Sequence, residues 1–257
     1  MAHAVQMGTP RAIALCQNFG GLLKFNAGRW DEAEQALRQA LKLSQGLGSA
    51  SGVRSSLRRL GVLLTARGRL DEARAALEES VHISEHSPLR SHGLIRSYAS
   101  LAGNRLEAGE LEVARHCIEL GKEAGRDHGG CTTCNALLIP EAVKVGLAVG
   151  DLTGALADVT ALEAIAAEYG SLAWTSMAHQ ARGRYASAAG EPREAAAAWR
   201  AALDAFSAYG NLYEAALCQQ GLAECLAESS PQDAATFRSE AERTLQRLRT
   251  GESPATD

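Results

Sequence analysis

The sequence predicts an all-α chain organised as a solenoid of about six helix-turn-helix repeats, on three observations. Hydrophobic residues make up 46% of the 257 residues and aromatics 5%; with six prolines and Ala and Leu dominant, the composition is that of helices. Six alanines that open helix-like runs (Ala33, Ala73, Ala114, Ala155, Ala195 and, more weakly, Ala235) recur in steps of 40 or 41 residues. Five residues before each of the first five stands Gly28, Gly68, Gly109, Gly150 or Gly190, where a helix can end at positive φ.

In chain order, each unit reads as helix, glycine turn, helix. After the glycine, Asp31, Asp71, Glu110, Asp151 or Glu191 is expected to cap the second helix or meet its positive dipole end. Pro192 suits a first turn, where its missing N–H is harmless. Beyond the marker, apolar residues keep helical spacing, as in Ala73, Leu77 and Val81. Twelve residues before it, Gly21, Gly61 or Gly183 leaves room for close helix approach, with Ala102, Val143 and Ala223 at that place elsewhere. The expected boundaries are a lead-in over 1–11, the solenoid over 12–248 and a disordered tail over 249–257. Its units fall at about 14–52, 53–92, 93–132, 133–171, 172–211 and 212–248.

Composition excludes some functions. The net charge of −4 and pI near 6.0 give no support to direct nucleic-acid binding. The N-terminus lacks the pattern of a signal peptide and no 18-residue apolar run exists, so a cytoplasmic protein without membrane contact is expected. There is no GxSxG elbow, phosphate loop or paired carboxylate in context, so neither an enzyme nor a cofactor is expected.

The pattern Leu60-Gly61, Ala73, Leu77, repeated nearly as well by Phe19, Gly21, Ala33, Leu37, resembles the tetratricopeptide repeat. That resemblance implies a right-handed superhelix that binds proteins or peptides on its concave face. The period exceeds the family's usual one, so helices about a turn longer are expected. The runs from Gly170 to Tyr185 and from Cys131 to Pro140 resemble the C-terminal repeat regions of bacterial MalT/LuxR-type regulators, which implies a scaffold or sensor module of a bacterial regulatory system.

Charge points to the binding face. The first helices of the first five units hold eleven basic residues: Arg11, Lys24, Arg54, Arg58, Arg59, Arg67, Arg96, Arg105, Lys144, Arg182 and Arg184. Only Glu107 and Glu141 oppose them. In a stack of hairpins the first helices line the inner side. The resemblance places Asn18, Leu22, Ser55, Arg58, Val62, Arg96, Lys144, Met177, Gln180, Arg184 and Gln220 in the groove. Guanidinium forks and amides there suit a protein or peptide partner, an acidic one in particular. A solvated helix face together with helix capping would produce part of the same asymmetry. The irregular last repeat reads as an end cap, and the less protected first one leaves homo-oligomers through the solenoid ends open.

The run His128-Gly-Gly-Cys131-Thr-Thr-Cys134 offers a second reading, a small-molecule, metal or redox sensor. Its spacing gives three zinc ligands, with Cys117 or His116 as a fourth, or a redox pair; ordinary packing is the third possibility. His82 and His86, four apart, read as a solvated helix end. Trp199 reads as inter-helix packing, Trp30 as a turn residue, and Trp174 with Met177 as an apolar spot at the groove edge.

Overall fold

The computed structural model describes residues 8–126 and 131–251, and these contain twelve α-helices and no strand. They are α1 (Pro10–Asn26), α2 (Trp30–Gly46), α3 (Ala50–Ala66), α4 (Leu70–Glu85), α5 (Arg90–Glu107), α6 (Leu111–Arg126), α7 (Thr132–Ala148), α8 (Leu152–Tyr169), α9 (Leu172–Ala188), α10 (Pro192–Ala208), α11 (Leu212–Cys225) and α12 (Pro231–Thr250). Backbone contacts divide the chain into a first unit, 1–138, and a second, 139–257, with the boundary inside α7 beside Pro140. The expected tail begins inside α12, and its residues 252–257 lie outside the described ones.

In the first unit α1 packs on α2, α3 on α4 and α5 on α6, and each hairpin packs on the next through α2–α3 and α4–α5. The first helices also touch one another, α1 against α3 and α3 against α5, so they crowd on one side. In the second unit the hairpins α9–α10 and α11–α12 repeat the arrangement, with α8 on α9 and α9 on α11.

The punctuation is the expected one. Gly28, Gly68, Gly109, Gly150 and Gly190 all have φ between 74 and 79°, a region in which a Cβ is costly. The markers Ala33, Ala73, Ala114, Ala155 and Ala195 are 0–1% exposed, at the closest helix contacts. In the last hairpin the buried alanine is Ala234, whereas Ala235 is exposed, so the register there is one residue earlier than the sequence suggests.

Acidic caps are rarer than expected. Asp151 accepts from the Gly154 N–H at 2.8 Å. Arg29 and Arg69 hold the N-cap positions of α2 and α4, and Asp31 and Asp71 lie in the first turn, where they face the dipole without capping. Glu191 stands at its N-cap with no side-chain bond, and Glu110 turns to Arg105 instead.

Candidate functional site

Helix α3 carries Ser55, Arg58, Arg59 and Val62 at spacings of three, four and seven, hence on one face. Arg54 lies beside them, with its Nη1 packed over Gly93 of α5. Arg96 approaches from α5, so four guanidinium groups converge. Burial, and then repulsion from Arg59, Arg96 and Arg54, pulls the Arg58 pKa down to about 9. Burial and Arg96 pull Arg59 down to about 10 and lower Arg54 as well. With values of about 9 and 10, Arg58 and Arg59 stay cationic near neutrality.

None of the four has a carboxylate within salt-bridge distance among the described residues. Buried nitrogens of Arg54, Arg59 and Arg96 lack a hydrogen-bond partner altogether. Several other basic residues in or just after the first helices are neutralised. Lys24 pairs with Glu32, Arg67 with Asp31 and Glu34, Arg105 with Glu110, and Arg182 with Glu163. Arg105 is a core residue at 2% exposure, also bonded to Asn104.

On α1, Asn18 is buried and donates to Ser56 Oγ at 2.6 Å, while its carbonyl oxygen accepts from Ser55 and Arg59. Its amide therefore joins α1 to α3 and is not free for a ligand. Leu22 is half-buried. The sequence reading missed Phe19, whose half-exposed ring lies under Arg59 at 4.3 Å, and the exposed Leu15 one turn before it. It also left out Arg54 and Arg59 as site residues. The register offered a signal, because Phe19 and Arg59 each stand two residues before the glycine of their column, at Gly21 and Gly61.

In the second unit Gln180 is buried and donates to Glu214 at 2.8 Å, bridging α9 to α11 as Asn18 bridges α1 to α3. Arg184 lies over the Trp199 ring at 5.4 Å, with a buried, unbonded Nε. Lys144 is tied to Glu141 at 2.8 Å and brings no free charge. Met177 packs on the cluster around Trp199 and Phe206. Gln220 borders a shallow cleft of about 340 Å³ with Glu242 and Arg249. Trp174 meets Tyr169 edge to face at 5.0 Å, and Trp199 is buried between Gly183 and Gly221. Trp30 is no mere turn residue: it opens α2 buried, stacked on Phe25, and donates to the Phe25 carbonyl.

All cysteines are free thiols. His128 lies outside the described residues. Cys131 stands at the start of α7, its carbonyl accepting from the N–H groups of Cys134 and Asn135, and Cys134 is fully buried one turn on. The histidine beside them is His92 of α5, with Nδ1 3.3 Å from Cys134 Sγ. Burial opposes ionisation of Cys131, but hydrogen bonds from Thr133, Cys134 and His92 outweigh it and hold the thiol down at about 6. Cys117, buried and pushed up to about 11, and His116, beside Glu119, do not join this group. His82 and His86 cluster with Glu85 on an exposed helix face.

Stacked helical hairpins with glycine-ended first helices and buried marker alanines define an α-helical repeat fold. A family model described as tetratricopeptide repeat matches residues 11–86. Among solved structures, a Rap protein complexed with Competence and Sporulation Factor superposes with a TM-score of 0.70 at 12% identity. The match covers 94% of this chain and 66% of that one, so this chain spans about two thirds of the Rap chain's length. BtubC (BKLC) from P. vanneervenii superposes with a TM-score of 0.54 at 15% identity, over 91% of this chain and 95% of that one. At such identities the likeness shows the fold. No curated protein matches the sequence.

Proposed function

We propose that the chain is a non-enzymatic scaffold that binds an acidic, extended protein segment on the first-helix face of its first unit. The observation that carries this reading is the set of four converging guanidinium groups at Arg54, Arg58, Arg59 and Arg96 with no carboxylate partner among the described residues. A cluster of like charges is costly in a free protein, and a ligand that supplies the missing anions relieves it. Carboxylates fit the guanidinium forks, and Leu15, Phe19 and Leu22 offer apolar contact beside them. In the second unit Arg184, with Trp199 beneath it, is the corresponding cation.

The fold likeness to a Rap protein captured with its Competence and Sporulation Factor supports a binding role. A place in a bacterial regulatory system, in the cytoplasm, agrees with it and with the regulator resemblance of residues 170–185. No helix among the described residues is long and apolar enough to cross a membrane. The exposed Leu15 and Leu23 of α1 also favour self-association through that end, which a concentration-independent monomer mass would exclude.

The test is fluorescence anisotropy with a labelled acidic peptide at low and high salt. Arg58→Glu is expected to weaken binding at least tenfold and flatten its salt dependence. Unchanged affinity refutes this placement of the site.

A further inference from the structure

The first turn of α5 and the start of α7 bring one imidazole and two thiols together from positions 39 and 42 residues apart in sequence. The imidazole of His92 and the Sγ atoms of Cys131 and Cys134 offer ligand atoms that all lie within 4.8 Å of one another. His92 Nδ1 is 3.3 Å from Cys134 Sγ. Two ligands of one tetrahedral ion, bound at about 2.0 Å through nitrogen and about 2.3 Å through sulfur, lie about 3.5 Å apart. The three groups therefore need little movement to share an ion.

We propose that His92, Cys131 and Cys134 form a binding site for one thiophilic divalent cation of the zinc class. The donor set selects the ion: two thiolates and an imidazole suit zinc and exclude hard cations such as magnesium and calcium, which take oxygen ligands. The surroundings fit the same ion. Arg96 lies within hydrogen-bond reach of Cys134, and Arg54 is near it. Bare divalent charge would be repelled there, but two thiolates balance it, and the guanidinium groups then face sulfur in a neutral centre. Cys134 is buried and anchors the site, while Cys131 remains partly exposed, which leaves a fourth coordination position on the open side. The group of His82, Glu85 and His86 has no buried donor to anchor an ion, since all three are exposed. The site borders the arginine cluster through Arg96 and Arg54, and metal uptake reads it out separately from peptide binding.

The experiment uses the whole chain, fully reduced, with its thiols counted. Zinc is titrated in competition with a chromophoric chelator, and cobalt is added separately as a spectroscopic stand-in. The expected result is one equivalent of zinc, with cobalt giving the intense visible bands of tetrahedral coordination and thiolate charge-transfer absorption. Cys131→Ser is expected to lower the affinity at least about 100-fold, and His92→Ala at least about tenfold. Circular dichroism confirms that each variant is folded; should Cys134→Ser unfold, the two more exposed positions carry the test. Reduced thiols with no stoichiometric metal uptake overturn the proposal. So does affinity unchanged by Cys131→Ser, or by His92→Ala.

Discussion

Leu77 fills the space that Gly61 leaves: a Cβ built at Gly61 would stand 2.4 Å from Leu77 Cγ. The two residues join α3 to α4, and Gly21 and Leu37 repeat the relation between α1 and α2, with a Cβ at 2.7 Å. Leu77 is fully buried, so the leucine cannot swing into solvent without leaving a void. Gly61→Ala is therefore expected to cost about 1–3 kcal/mol by overpacking, and Leu77→Ala about 2–5 kcal/mol by cavity formation. In the double variant the new methyl group enters the cavity, so the combined loss should fall short of the sum. Urea denaturation of the four proteins measures the coupling, and strict additivity would show that the two side chains do not compete for one space.

Arg105 carries a buried charge held by Glu110 at 2.9 Å and by Asn104. Removing the carboxylate strands that charge at 2% exposure. Glu110→Ala should lower stability by about 1–3 kcal/mol, while Arg105→Met, which removes the charge and keeps much of the stem, should cost less. Thermal denaturation of the pair decides the order, and a costlier Arg105→Met would locate the main contribution in packing.

The arginine cluster predicts opposed effects on stability and binding. Arg58 has its pKa pulled below that of the unfolded chain, so its charge opposes folding at neutral pH. Arg58→Met is expected to stabilise the free protein by roughly 1 kcal/mol while weakening the acidic peptide. Melting curves with and without peptide test both signs; a variant that loses stability would show that the guanidinium contributes more by packing than it costs by repulsion.

Cys218 gives a pH dependence. Burial, reinforced by Glu214, pushes its thiol from an ordinary value of 9.0 up to about 12 in the fold. A raised folded-state pKa means that its neutral form stabilises the protein fully below pH 9 and that this contribution fades between 9 and 12. The stability gap between wild type and Cys218→Ala should therefore narrow as pH rises through that window. Paired chemical denaturations from pH 8 upward measure it, and a constant gap would show that the thiol ionises no differently in the folded chain.

The sequence by itself determined the repeat. Gly28, Gly68 and their equivalents end helices through a local backbone preference, and Ala33 or Ala73 marks a contact too close for a larger side chain. Both are properties of one or two residues that recur at a fixed step, so they can be read without coordinates. Only at Ala234 did the register shift, beyond an α11 three residues shorter than α9.

The site was decided by tertiary structure, because stacking makes neighbours of residues about one period apart. Asn18 meets Ser56, Gln180 meets Cys218, Arg67 meets Asp31, and His92 meets Cys134, at separations of 36 to 42 residues. In sequence Arg58 and Arg67 look alike. Packing gives Arg67 two carboxylates and gathers three other arginines around Arg58, and that difference separates a neutralised cation from the one on which the proposed site rests. The same stacking draws His92 to the thiols from one repeat earlier, a partner that no local spacing encodes.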